Sequence, residues 1–300
     1  MEDAIIKGLL GLTVGFQHLL IDWRNVIMIL VGGVLIWLGI KKDCEPLLLL
    51  PIGFGCILVN IPLSEVMMKD GFIRIIYDAG IDTELFPLLI FIGIGAMTDF
   101  GPVLARPSTF LLGAAGQFGI FLTLLLALAL GFPKLEAISI GIIGACDGPT
   151  AIYVTSKYAP HLLGAVSVAA YSYMSLVPII QPPIMRFLTT KKERETFMKP
   201  VARPVSKTTK LVFPLVITIL GGLIAPKGLP LLGTIMLGNL MKESGVVARL
   251  TKASENEIAN VTTLFLGLCI GATMVGSAFV RAETLIILCL GFMAICLDTV

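Results

Sequence analysis

The segment Leu135–Tyr158 reads LEAISIGIIGACDGPTAIYVTSKY and is apolar on both sides of a central interruption, Gly144–Thr150. The interruption holds one carboxylate, Asp147, next to a glycine and two residues before a proline. A carboxylate in an apolar membrane segment is costly unless it is paired, hydrated or bound to a metal ion. Proline removes a backbone donor and disrupts the hydrogen-bond ladder of a helix. The segment therefore predicts a membrane helix that is broken around Asp147.

The rest of the chain is equally apolar. Of its 300 residues 56% are hydrophobic and 14% are charged, and the mean hydropathy is +0.96. Backbone groups in lipid must bond internally, and the apolar runs lack the alternation of barrel strands, so they are helices. These properties predict an all-α, polytopic membrane bundle. Its apolar runs are Val26–Ile40, Pro46–Pro62, Phe86–Ala96, Thr109–Leu130, Leu211–Ile224 and Thr284–Leu297.

The distribution of positive charge predicts how the broken segment sits in the membrane. The loop 188–210 is strongly basic, and the positive-inside rule assigns it to the cytoplasm. We take Lys41-Lys42 and Arg106 to lie on the same side. The basic loop then reaches the cytoplasm only if Leu135–Tyr158 enters the membrane and returns to the side it came from. The number of membrane crossings between these basic segments therefore favours a re-entrant hairpin with Asp147 near its tip.

A weak internal repeat is typical of transporters. The stretch Ile94–Thr109 is echoed by Ile270–Thr284, although coincidence remains an alternative for so short a match. We therefore expect an inverted repeat whose second copy is incomplete. The predicted divisions are an interfacial helix at 1–22, first helices at 25–98, a core at 106–187 broken at 144–150, a basic cytoplasmic loop at 188–210, and a second repeat that starts at 211 and is truncated at 300.

Oxygen-bearing residues near the break suit a hard monovalent cation such as Na⁺. Unwound backbone frees carbonyl oxygens, which can act together with a carboxylate and hydroxyl groups. Two other interpretations stay open: a surface turn at Asp-Gly-Pro, and tyrosines that anchor a helix at the lipid headgroups. The candidate cation-binding residues are Asp147, Gly144, Gly148, Thr150, Tyr171 and Ser172, with Tyr173 as a further functional candidate.

Other kinds of site find little support in the sequence. The six cysteines lie mostly in apolar runs without metal-ligand spacing, and His18 and His161 are too scattered for a metal site. No nucleotide-binding loop, Ser/His/Asp arrangement or biotinylation-type Met-Lys-Met is present, and nothing indicates nucleic acid. The energy source is therefore expected to be a partner protein or an ion gradient.

Several motifs together carry a family resemblance that covers essentially the whole chain. The motifs are Ile140–Tyr153, Ala169–Met174, Leu176–Met185, Thr98–Pro102 and Glu45–Gly55. On these motifs the chain resembles the membrane-embedded β subunit of the biotin-dependent, sodium-pumping decarboxylases.

This resemblance implies a subunit of a complex in a bacterial cytoplasmic membrane. The α subunit would carry the carboxyltransferase and the biotin, taking carboxylate from oxaloacetate, methylmalonyl-CoA, glutaconyl-CoA or a similar acid, and a small membrane γ or δ subunit would join it. The β subunit would decarboxylate the carboxybiotin, consume a proton and export Na⁺. Asp147 matches the acid of Na⁺ and proton handling, and Tyr173 the tyrosine of proton delivery. The acid substrate and the oligomeric state, including a homo-oligomer in the lipid, stay open.

Two alternatives remain at this point. One is a Na⁺-coupled secondary transporter without decarboxylation, and the other is an assembly subunit that transports nothing. The resemblance also implies a further glycine-rich broken segment beyond Arg281, which this sequence does not contain. Activity of the short chain alone is therefore left open.

Overall fold

In the computed structural model the described residues are 15, 17–19, 21–42, 45–197 and 204–300, without the side chains of residues 175, 176, 178 and 179. Over these residues the secondary structure is helical, and no strand is present. This confirms the predicted all-α fold class. The interfacial helix predicted over 1–22 lies largely outside the described residues.

The helices vary widely in length because glycines and prolines interrupt the apolar runs. They are α1 Trp23–Lys42, α2 Pro46–Asn60, α3 Phe72–Gly80, α4 Leu85–Met97, α5 Gly101–Ala105, α6 Phe110–Gly116, α7 Phe118–Ala129, α8 Lys134–Gly141, α9 Gly148–Tyr158, α10 Leu163–Leu188, α11 Lys191–Arg194, α12 Lys207–Ile224, α13 Leu229–Ser244, α14 Ala248–Ala253, α15 Ala259–Thr273, α16 Gly276–Phe279 and α17 Ala282–Thr299. Single 3₁₀ or π turns link several of them, at Pro107–Thr109, Ile142–Ala145, Pro160–Leu162, Pro226–Gly228 and Ser254–Ile258.

Four helical segments of the described chain are long and apolar enough to cross a membrane, namely α1, Pro107–Ala129, α12 and α17. The pair α3 and α4 would make a fifth, although the two helices are bent by 62°. Helix α2 is apolar but has only 15 residues. Full-length, bent and short helices therefore coexist, as expected for a transporter-like bundle.

The structure differs from the sequence expectation in two connecting regions. The stretch between the predicted apolar runs Pro46–Pro62 and Phe86–Ala96 contains α3, because Ile73 and Tyr77 bury the apolar face of an amphipathic helix. The continuous span predicted over Thr109–Leu130 is distorted at Gln117, whose N–H bonds the carbonyl three residues back rather than four.

Two helix pairs cross at glycines in equivalent positions. A Cβ atom added to Gly55 of α2 would overlap the Leu268 carbonyl oxygen of α15. A Cβ added to Gly238 of α13 would overlap the Ile92 carbonyl oxygen of α4. Only glycine lets the backbones approach this closely, as is common where membrane helices pack.

The C-terminal ends of the two helices in each pair also meet, so each pair is parallel. Asn60 at the end of α2 donates to the Met274 carbonyl just beyond α15 (2.8 Å). Asn239 near the end of α13 donates to the Thr98 carbonyl just beyond α4 (3.2 Å). Both carbonyls follow the last residue of a helix, where backbone oxygens lack helical partners.

The two units α2–α4 and α13–α15 are inverted relative to each other. Cys269, late in α15, lies 3.9 Å from the Ile73 carbonyl at the start of α3. Gly93, late in α4, packs against Ser254 just before α15. Helix α15 is thus antiparallel to α3 and α4 but parallel to α2. Because α13 is parallel to α4, α13 and α2 run in opposite directions. This is the arrangement expected of the predicted inverted repeat.

Helices α8 and α9 form the re-entrant hairpin that the charge distribution predicts. Glu136 at the start of α8 and His161 just after α9 are 3.2 Å apart, so both arms open on the same face of the bundle. Between them, Gly144 packs against the backbone of Gly119, near the middle of the Pro107–Ala129 span. The turn therefore lies deep in the bundle rather than at its surface.

The opposite face carries most of the basic residues in the described part of the chain. Gly164, early in α10, packs against Thr273 at the C-terminal end of α15, so the other end of α10 reaches the opposite face together with the start of α2. We call that opposite face the inner face and the mouth of the hairpin the outer face. The inner face gathers the cations expected on the cytoplasmic side: Lys41, Lys42, Arg106, Lys191, Lys192, Arg194, Lys207, Lys210, Lys242, Arg249 and Lys252.

Candidate cation site

The hairpin turn is built from a short unwound segment. A 3₁₀ turn ends at Ala145, Cys146 takes the left-handed conformation (φ 51°, ψ 31°), and Asp147 is extended. Helix α9 then begins with Pro149 in its first turn, where a missing N–H costs nothing. The Ile143 carbonyl accepts from the Cys146 N–H (3.1 Å), and carbonyls beyond it, at the end of the 3₁₀ turn, lack the partners that a continuous helix would supply.

The two glycines of the motif serve close packing instead of unusual backbone angles. The left-handed residue is Cys146, whereas neither Gly144 nor Gly148 has a positive φ. A Cβ on Gly144 would lie 2.9 Å from the Gly119 carbonyl carbon, and one on Gly148 would overlap the Tyr171 ring. The absence of side chains at these glycines therefore allows the turn to pack closely against α7 and α10.

The Asp147 carboxylate lies at the N-terminus of α9, partly buried. It accepts a hydrogen bond from the Thr150 hydroxyl one turn later, and its backbone carbonyl accepts from Ala151 N–H (3.0 Å). The positive end of the helix dipole favours an anion at this position. The structure thus brings the predicted residues Asp147, Thr150, Gly144 and Gly148 together at one turn.

The two tyrosines of α10 lie in different environments. Tyr171 is 4% exposed, and its ring packs on Gly148 with its hydroxyl within electrostatic range of the Asp147 carboxylate. The Tyr173 hydroxyl instead donates to the Leu288 carbonyl of α17. Residues two apart on a helix differ by about 200°, which explains the separation. Ser172 lies between them on α10. Tyr171 is therefore the phenol beside the turn, and it is no headgroup anchor.

A second acidic group near the turn was missed by the sequence analysis. Asp298 on α17 lies against the backbone of Gly119, and its Oδ1 atom is buried. The carboxylate is also within electrostatic range of Cys146. The only available signal was a single acidic residue at the end of an apolar run, which a helix end at the membrane surface would equally explain.

The donor set suits a monovalent cation. Among the described residues, no group of three or more His, Cys, Asp or Glu side chains lies close enough to hold a metal ion together. One carboxylate with hydroxyl and backbone oxygens offers hard donors with little charge. A site of this kind fits Na⁺ as a transported ion.

The fold and this turn define an ion-coupled membrane transporter, with an inverted repeat and an intramembrane carboxylate on a broken segment. Residues 24–300 match the family described as Na⁺-transporting oxaloacetate decarboxylase beta subunit, and the chain belongs to this family.

Characterised relatives cover nearly all of the chain. It is 49% identical over 292 residues to the glutaconyl-CoA decarboxylase subunit beta of Acidaminococcus fermentans, which covers 97% of the chain and 77% of the relative. It is 51% identical over 288 residues to the methylmalonyl-CoA decarboxylase subunit beta of Veillonella parvula (96% and 74%). It is 44% identical over 358 residues to the oxaloacetate decarboxylase beta chain of Klebsiella pneumoniae (99% and 81%).

These similarities settle the class of function. The chain is the membrane subunit of a decarboxylase sodium pump, multi-pass in the cytoplasmic membrane and part of a multi-subunit complex. The alternative of a secondary transporter without decarboxylation is not favoured, because the relatives are subunits of decarboxylases.

Proposed function

We propose that the turn around Asp147 is where this subunit couples the loss of CO₂ from carboxybiotin to the movement of Na⁺. The supporting observation is the position of Asp147, at the tip of a hairpin whose arms both open on the outer face. A carboxylate at that depth is within reach of ions from both sides once the surrounding helices move. Intramembrane acids in transporters commonly have this role.

The chemistry requires only a proton and a dry site. When carboxybiotin loses CO₂, the bond between the carboxyl carbon and the ureido nitrogen breaks and its electron pair stays on nitrogen. That nitrogen then takes up a proton, so one proton is consumed for each CO₂ released. A residue that holds a proton near the biotin and keeps bulk water out is sufficient.

The Asp147 carboxyl can hold either the proton or Na⁺ but not both. Binding of Na⁺ to its oxygens, with help from Thr150 and freed backbone carbonyls, would release the proton toward biotin. Competition of two cations for one set of oxygens is a coupling free energy between ion binding and decarboxylation. Tyr171 lies beside this carboxyl, and Tyr173 remains the proposed route for proton delivery on the other side of α10.

The biotin itself would be carried by the partner subunit that also holds the carboxyltransferase, with a small γ or δ subunit completing the complex. We propose that the substrate of the complex is a carboxylic acid in the form of a CoA thioester. The CoA decarboxylase relatives from Veillonella, Acidaminococcus and Propionigenium align over 288, 292 and 312 residues, whereas the Klebsiella oxaloacetate relative aligns over 358 and so carries much longer insertions relative to this chain. Assays of the purified complex with glutaconyl-CoA, methylmalonyl-CoA and oxaloacetate would test this preference.

Substitution of Asp147 tests the coupling site. In the complete complex in proteoliposomes, Asp147→Asn should abolish both Na⁺-dependent CO₂ release and Na⁺ uptake, because an amide cannot exchange a proton for Na⁺. Uptake by the unmodified complex should stop when avidin binds the biotin. Asp70→Asn, in an exposed loop on the outer face, is the matched control and should leave both rates unchanged. Wild-type turnover in Asp147→Asn would refute the proposal.

A further inference from the structure

Glu45, the residue that precedes α2, has a strained backbone. Its φ of 37° and ψ of 58° place it in the left-handed region, directly before Pro46. The left-handed conformation is unfavourable for a residue with a Cβ, and a following proline restricts the backbone further. Strain of this kind is retained where function requires it more often than elsewhere.

The Glu45 side chain is not used to start its helix. Its backbone carbonyl accepts from Leu48 and Leu49 N–H (3.0 and 2.9 Å), but the carboxylate makes no capping hydrogen bond. No ion pair joins it to a cation among the described residues. The structure therefore holds a half-buried carboxylate in a strained conformation without a structural partner.

Glu45 also lies at the inner edge of the membrane. Helix α2 has 15 residues and is about 22 Å long at 1.5 Å per residue, which is shorter than a hydrocarbon core of about 30 Å. Its other end, Asn60, is 1% exposed and bonded inside the protein. The start of α2 therefore lies at or within the inner boundary, on the cytoplasmic side of Asp147.

Tyr171 connects Glu45 to the turn. It belongs to the same buried cluster as Leu48 and Leu49 of α2, while its ring packs on Gly148. Its hydroxyl is within electrostatic range of both the Asp147 and the Glu45 carboxylates. The hydroxyl oxygen is fully buried and has no hydrogen-bond partner in the part of the chain that the structure describes. An unsatisfied buried hydroxyl is costly, and a cation or hydrated cation between the two carboxylates would satisfy it.

We propose that Glu45, Tyr171 and Asp147 form the inner half of the Na⁺ route, in which Glu45 takes up Na⁺ from the cytoplasm and passes it by the Tyr171 hydroxyl to Asp147. The proposal rests on the function proposed above for Asp147. Carboxylates at the mouth of a low-dielectric path concentrate cations there, so Glu45 acts on Na⁺ capture rather than on the chemical step.

Three substitutions of Glu45 separate charge from backbone strain. Glu45→Gln keeps the shape and removes the charge, Glu45→Asp keeps the charge, and Glu45→Gly removes the charge and relieves the strain. In proteoliposomes with the complete complex oriented so that its inner face is accessible, Glu45→Gln should raise the Na⁺ concentration for half-maximal CO₂ release by about tenfold, with kcat at saturating Na⁺ unchanged. Glu45→Asp should need nearly the same Na⁺ concentration for half-maximal CO₂ release as the wild type.

The remaining variants decide between the outcomes. Glu45→Gly should show the same shift in Na⁺ dependence with an unchanged or higher thermal stability, and Glu65→Gln, exposed on the outer face, should show no shift. Wild-type Na⁺ dependence of Glu45→Gln would overturn the inference, as would a loss of kcat without a shift. If Asp147→Asn is inactive while Glu45→Gln is normal, only this inference fails. If Asp147→Asn is fully active, the proposed function fails first.

Discussion

The Asn60 side chain and the Met274 backbone are joined by a buried hydrogen bond of 2.8 Å across 214 positions of the sequence. The same side chain accepts from Gly276 N–H at 2.8 Å, so one amide satisfies a carbonyl and a donor on the two sides of the break between α15 and α16. In the inverted unit, Asn239 bonds Thr98 at the corresponding break. Each repeat thus supplies an asparagine that supports the broken helix of the other.

We expect Asn60→Ala to destabilise the protein by about 2–4 kcal/mol, because it leaves the Met274 carbonyl and the Gly276 N–H buried without partners. The measurement is the Tm in detergent, followed by tryptophan fluorescence or by the fraction that stays monodisperse. Asn256→Ala removes an exposed bond to the Lys252 carbonyl and should change stability by less than about 0.5 kcal/mol. Equal Tm values for the two variants would show that the crossing does not depend on Asn60.

Charge and hydropathy were sufficient to predict the re-entrant hairpin, since its topology follows from where the basic residues must lie. Lys41-Lys42 and the basic loop after α10 do share one face, and Glu136 meets His161 on the other. The inverted repeat was visible because the motif around Ile94 has a copy around Ile270. Both predictions used charge, hydropathy and sequence similarity, which can be read without knowing how the helices pack.

Features that depend on helix phase and close contact could not be predicted. The sequence does not show whether Tyr171 or Tyr173 faces the turn, because that depends on the rotation of α10. Nor does it show that Cys146, rather than one of the glycines beside it, adopts the left-handed backbone. Asp298 could not be distinguished from an acid at a membrane surface until its contact with Gly119 was seen.

We expect Gly119→Ala to lower stability by about 1–3 kcal/mol, as overpacking does. The added Cβ would lie 2.9 Å from the Asp298 Cβ and 3.1 Å from the Ala294 carbonyl oxygen, in a buried contact between α7 and α17. Gly113→Ala in the adjoining α6 is the matched control, because a Cβ there meets nothing within 4 Å. The Tm of both variants in detergent checks this, and a Gly119→Ala protein as stable as Gly113→Ala would contradict the contact.

At the inner face, the Gly101 backbone N–H donates to the Asp99 carboxylate at 2.8 Å and holds the pKa of that carboxyl below its usual range. The Lys210 ammonium, whose Nζ lies 3.6 Å from Asp99 Oδ1, lowers the same pKa further. A lowered pKa contributes stability that is complete above the unfolded value near 4 and is lost only as pH falls through the folded value. Because Asp99 is mostly exposed, Asp99→Asn should cost only about 0.5 kcal/mol. The Tm difference from wild type should be constant from about pH 5 to 8 and shrink below about pH 4; a difference that disappears near neutral pH would argue against this assignment.

The contact between Gly148 and Tyr171 gives the sharpest test of the turn. In Gly148→Ala the new Cβ would overlap the hydroxyl-bearing edge of a ring that is 4% exposed, so either the ring or the turn must move. A displacement of about 1 Å can cost about 100-fold in rate, and we expect Na⁺ uptake and CO₂ release to fall together by about that factor. Gly233→Ala, where a Cβ meets nothing within 4 Å, should behave as wild type. Adding Tyr171→Leu to Gly148→Ala removes the overlapping ring edge and should restore the Tm without restoring transport, since the hydroxyl is gone. Normal transport by Gly148→Ala would mean that the turn and Tyr171 need not meet for Na⁺ to pass.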